Sequence, residues 1–187
     1  VYKRQIEYCR KIDYVSAFLA NYWLGLIYLE KKQDIKSREC FAASTAILKQ
    51  RNVLESFSHL NEMGIAYLRA RQHEKDIDID RLASDVEGNK IKSIEGTMAL
   101  WMGQILLEAD EPDIEKAENW INRAIEADSR NGQIWYLGKD YIGYATLFKR
   151  KKDYARAGEN IAKAIDFFKE CGADGWAEKY ENELASL

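Results

Sequence analysis

The sequence predicts an all-α fold made of a short helix pair repeated along the chain, and three observations carry that reading. The glycine of a Leu/Met-Gly-x-x-Tyr/Leu pattern recurs at Gly25, Gly64 and Gly103, at a constant interval of 39 residues, and Ala145 fills the same slot 42 residues later. Downstream of each slot runs a second stripe, clearest as Ala157, Ile161, Ala164, Ile165 and Phe168, whose spacing marks one face of an α-helix. Composition agrees: one proline and eleven glycines leave few breakers in 187 residues, and 47% are hydrophobic, ample for a core.

Taken in order, residues 1–15 read as the second helix (B) of a preceding pair, so the chain is expected to be a piece of a longer one. Residues 16–54 form the first full pair. Its first helix (A) carries Leu24, Gly25 and Tyr28, and its B helix carries Ser37, Phe41, Ser44 and Leu48. Residues 55–92 repeat the A helix with Met63, Gly64 and Tyr67, but their B helix is irregular, keeping only Ala83 in an expected slot. Residues 93–131 carry Met102, Gly103 and Leu106, then Ala117, Ile121, Ala124 and Ile125, displaced two residues by an insertion around Pro112. Residues 132–172 close the array with Tyr144, Ala145 and Phe148, followed by the stripe from Ala157.

Small residues belong where two helix axes approach, with bulky ones beside them. Asp34, Asp113 and Asp153 each stand at the start of a B helix, as N-caps prefer. Gly172 is placed to end the last B helix. Residues 173–187 are expected to be a capping helix with Trp176, Tyr180, Leu184 and Leu187 on one stripe, because a terminal repeat otherwise exposes its stacking face. Leu187 is expected to be the natural end of the chain.

The pattern Leu-Gly-x-x-Tyr followed by Ala-x-x-x-Phe-x-x-Ala resembles the tetratricopeptide repeat, over about residues 17–170. The period exceeds the common ~34 residues. It is similar to the longer variety found in bacterial signalling and transcription-control proteins. The resemblance implies a right-handed α-solenoid of four helix-turn-helix repeats, and a non-enzymatic, protein-binding scaffold that serves as the C-terminal regulatory segment of such a protein. It also implies that one face of the A helices lines a concave groove. Counted from the glycine slot, the groove positions are Tyr22, Leu26 and Leu29; Asn61, Ile65 and Leu68; and Leu100, Gln104 and Leu107. Such an apolar trough accepts a partner helix, an extended peptide or another domain of the parent chain. The other readings are a peptide or small-molecule sensor, and a self-association module dimerising through the N-terminal end.

Other chemistries find little support. The formal charge of −3, with mixed signs throughout, argues against a dedicated nucleic-acid surface. No apolar run approaches the ~18 residues of a membrane span. Cys9, Cys40 and Cys171 are odd in number and far apart, which suits a reducing compartment, so a cytoplasmic location is expected. Asp76, Asp78, Asp80, Ser84 and Glu87 copy the ligand spacing of a calcium loop, but Arg81 stands where the sharp turn needs glycine. That stretch reads as an acidic helix face, with no metal. His59 and His73 lack partners at ligand spacing, and no phosphate loop or nucleophile elbow occurs. Neither a cofactor nor catalysis is expected. Lys149, Arg150, Lys151 and Lys152 form a basic turn, read either as solvated or as a docking point for an acidic partner.

Overall fold

The computed structural model describes residues 13–187, which form nine helices and no strand. In chain order these are α1 (Tyr14–Glu30), α2 (Asp34–Arg51), α3 (Glu55–Arg71), α4 (Ile79–Glu87), α5 (Lys92–Glu108), α6 (Ile114–Arg130), α7 (Ile134–Arg150), α8 (Tyr154–Glu170) and α9 (Asp174–Ala185). The fold is all-α, as the repeat predicts. Contacts divide the chain into two compact units after Asp85.

In the first unit α1 packs on α2 and α2 on α3. The start of α1 is set by Asp13, whose carboxylate accepts from the N–H groups of Val15 and Ser16 at 3.0 and 3.1 Å. Tyr14 and Val15 therefore belong to α1, and the remainder of the expected leading B helix lies outside the described residues. The core is built on Phe18, Phe41, Leu48, Leu60, Met63 and Leu68, all buried. A Cβ at Gly25 would lie 2.7 Å from Phe41 Cε1, and one at Gly64 would lie 2.9 Å from Phe41 Cε2. Both glycines are thus required by close approach to the same ring.

The serines that replace alanine in the first B helix have their own role. Ser37 Oγ donates to the Gly25 carbonyl at 2.8 Å, and Ser44 Oγ donates to the Phe18 carbonyl at 2.9 Å. A small hydroxyl at the crossing keeps the helices close and satisfies its own polar atom on the neighbouring backbone.

The irregular second B helix is short. α4 spans nine residues where the other B helices have 17 or 18. Asp76 adopts a left-handed conformation (φ 66°), and the Asp78 carboxylate accepts from the Arg81 N–H at 2.9 Å, so the helix begins only at Ile79. Leu82 and Val86 are the buried positions. Ala83, expected in the small slot, is only half-buried, because the late start turns the Leu82–Val86 stripe inward instead.

In the second unit consecutive helices α5 to α9 pack on one another, and α5 also meets α7. Ala117, Ile121, Ala124, Ala157, Ile161, Ala164 and Phe168 are fully buried, as the stripe predicts. Asp113 and Asp153 cap α6 and α8 by accepting from the N–H groups of Lys116 and Arg156 at 3.0 Å. Asp34 departs from that pattern. It is the first residue of α2, where no side chain caps the helix start, and its carboxylate lies 3.5 Å from Arg71.

One turn geometry ends six of the helices. A left-handed residue at Lys32, Asn52, His73, Gly132, Lys152 and Gly172 lets the following N–H reach back to the carbonyls of Tyr28, Leu48, Arg69, Asp128, Phe148 and Phe168. After the last of these, α9 buries Ala177 and Tyr180 against Ile161, Ala164, Ile165 and Phe168, with Trp176 and Leu184 partly covered. Leu187, expected on the same stripe, is 41% exposed because α9 ends at Ala185.

Candidate functional site

The expected groove residues separate into two groups. Tyr22, Asn61, Leu68, Leu100 and Leu107 are buried, while Leu26, Leu29, Ile65 and Gln104 are half-buried. The buried ones have visible packing roles. The Tyr22 ring lies 6.0 Å from the Phe41 ring. Asn61 Nδ2 donates to Ser44 Oγ at 3.0 Å and to the Phe57 carbonyl at 2.8 Å, which ties α3 to α2. Leu100 Cδ1 would lie 2.6 Å from a Cβ at Gly143, so it faces α7. Leu26, Leu29 and Ile65 remain as the partly open apolar positions of the first unit.

Beside Ile65 the first unit has a shallow cleft of about 280 Å³ between α3 and the segment leading into α4. Glu62, Arg69, Asp76, Asp78 and Arg81 give it a charged lining. Most of that charge is internally paired. Glu62 accepts from Lys49 at 2.7 Å and from Arg81 at 2.9 Å, and these partners hold its carboxyl below the usual range against the opposing effect of burial. Arg69 donates to Glu74 at 2.7 Å.

The acidic stretch is dispersed rather than gathered. Asp78 caps α4, and Glu87 accepts from Arg123 at 2.6 Å. Asp76 and Asp80 are exposed. Among the described residues no group of three or more His, Cys, Asp or Glu is arranged to hold a metal ion. Among the same residues no helix is long and apolar enough to cross a membrane.

Three members of the basic turn are taken up within the second unit. Lys149 pairs with Glu183 at 2.7 Å, Arg150 with Glu108 at 2.7 Å, and Lys151 with Glu118. The Lys151 contact, with a hydrogen bond from Tyr144, holds the Glu118 carboxyl low. The run fastens α7 to α5, α6 and α9, and the sequence spacings of 33 to 42 residues hid those partners.

One feature escaped sequence reading altogether. Asp128 on α6 and Asp140 on α7 are 1% and 0% exposed, and none of their four carboxyl oxygens accepts from a donor group among the described residues. The two side chains are within hydrogen-bonding reach of each other. Burial pushes Asp128 up to about 7, and burial together with the neighbouring Asp128 pushes Asp140 well above the ordinary carboxyl range. A signal was present in the stripe: counting seven residues past Phe41, Ile121 and Ile161 gives Leu48, Asp128 and Phe168. Among the three regular B helices the slot holds an acid once, at Asp128.

No known family model matches the chain, and no curated protein matches it.

Proposed function

We propose that this chain is a non-enzymatic protein-interaction module of the tetratricopeptide-repeat kind, working in the cytoplasm within a bacterial signalling or transcription-control protein. The observation that supports this reading is the incomplete burial of Leu26 and Leu29 on α1 and of Ile65 on α3. Both helices already press their glycine faces on Phe41. Apolar side chains left partly open on the flanking helices suit the apolar side of a bound helix or peptide. Trp23, 40% exposed on α1, adds an aromatic anchor of the sort that concentrates binding energy.

The test is retention of a protein partner by the wild type and by Leu26→Glu, Ile65→Glu and, as a control on another surface, Ile35→Glu, which alters a side chain 76% exposed. Helicity is measured for each. Loss of the partner with the first two and retention with the third supports the reading; equal recovery from all four defeats it. A second reading, a sensor of a peptide or small molecule, draws on the charged cleft beside Ile65. It calls for ligand-dependent thermal stabilisation of the isolated chain.

A further inference from the structure

We propose that Asp128 and Asp140 hold a proton between them and act as a latch: the protonated pair keeps α6 against α7, and loss of the proton loosens that joint. Gly138 on α7 faces Phe168 of α8, with its Cβ position 2.6 Å from the Phe168 ring. Seven residues before the glycine slot of the preceding unit, Gly96 on α5 faces the Asp128 carboxyl in the same way, with no room for a Cβ. The repeat therefore offers an enclosed apolar pocket, and this unit has filled it with a carboxyl.

The enclosure decides the chemistry. Two carboxylates in reach of each other and out of water repel strongly, and burial penalises each charge separately. With one proton present, the protonated member donates to the other, and the pair becomes a single hydrogen-bonded unit across the helix contact. Asp140, the more deeply buried, is the natural holder of the proton.

No neighbour offers an alternative. From α5, Glu95 adds negative charge, although Arg130 of α6 already donates to both of its oxygens at 2.8 Å. From α7, Tyr136 stays neutral, its hydroxyl pushed up by burial and by Asp128, and it interacts with Thr97 of α5. From α8, the Phe168 ring packs on Gly138 of α7, and no α8 group acts on either carboxyl among the described residues. Among the described residues no lysine, arginine or histidine acts on either carboxyl. Asp128 also lies in the last turn of α6, where the helix dipole disfavours negative charge.

Both carboxyls are raised in the folded state, so their contribution to stability is complete below the unfolded value of about 3.9 and is lost as pH rises. For Asp128 that loss runs up to about 7. The latch is closed in mild acid and opens toward neutral and alkaline pH.

The experiment is thermal unfolding of the intact chain from about pH 5 to about pH 8, comparing wild type with Asp128→Asn/Asp140→Asn, which removes both titrations while keeping shape. The expected result is a midpoint that falls with pH by several degrees more in wild type than in the double variant. Equal pH slopes overturn the proposal. Should the double variant not fold, carboxyl carbon shifts of the wild type decide: a buried carboxyl still protonated near pH 6 upholds the latch, and ionisation of both below about pH 5 ends it.

Discussion

Gly25 and Gly64, 39 residues apart, face opposite edges of one ring, that of Phe41. The α2 helix that carries Phe41 lies between the two helices that carry the glycines, and the ring fills the space both of them vacate. The first of the two 39-residue intervals spans this shared contact, whereas Gly103 meets Ile121 instead. A Cβ on either side meets the ring well inside van der Waals distance.

Gly64→Ala is therefore expected to cost about 1–3 kcal/mol, the range for inserting a methyl into a packed core. Because α1 blocks the other edge, Phe41 has nowhere to retreat. Combining Gly64→Ala with Phe41→Leu should recover part of the loss. Urea unfolding of both single variants and the double variant measures the coupling; strictly additive losses would show that the ring and the glycine are independent.

Asn61 offers a way to separate packing from recognition. Its amide holds Ser44 and the Phe57 carbonyl in a buried network. Asn61→Ala is expected to destabilise the chain by about 1–3 kcal/mol, since it strips a buried polar network of one member. Chemical denaturation gives the number. A variant as stable as wild type would return Asn61 to the role of a partner-facing residue.

Leu54 is in a left-handed conformation (φ 52°) at the N-terminus of α3, and it is 38% exposed. A branched side chain there carries strain of about 1–2 kcal/mol, partly offset by the greater chain entropy that glycine loses. Leu54→Gly should raise stability by about 0.5–1 kcal/mol, read as a higher melting midpoint. A lower midpoint would mean that the Leu54 side chain contributes packing that outweighs the strain.

Asp153 accepts from the Arg156 N–H and lies beside the Arg156 guanidinium, and these bonds hold its carboxyl below the ordinary range. A lowered folded value means that the stabilisation is present at neutral pH and disappears as the carboxylate protonates in acid. Asp153→Ala should melt below wild type at neutral pH, with the two curves converging below about pH 3. A gap that persists in acid would assign the effect to something other than the cap.

Much of this was legible in advance because helical repeats write their contacts locally. The stripe from Ala157 to Phe168 reports one helix face by spacing alone, and all five of its residues are buried. The shortened α4 was less legible. Its aspartates signalled irregularity, yet the choice of Leu82 over Ala83 as the inward position depended on where Asp78 started the helix. The groove positions were legible only as a face. Their division into buried Leu68 and half-open Ile65 depends on how closely neighbouring helices approach.

Outside α4, the sequence by itself determined the helices, their pairing and the slots at which they cross, since periodicity, caps and small residues act over a few turns. Only the tertiary structure decided which groups meet across those crossings. It brought Lys149 to Glu183, turning a basic run into fastenings, and it closed Gly96, Asp128 and Asp140 into one pocket. The physical reason is that a carboxyl's behaviour is set by the water and charges around it, and three separate helices enclose this pair.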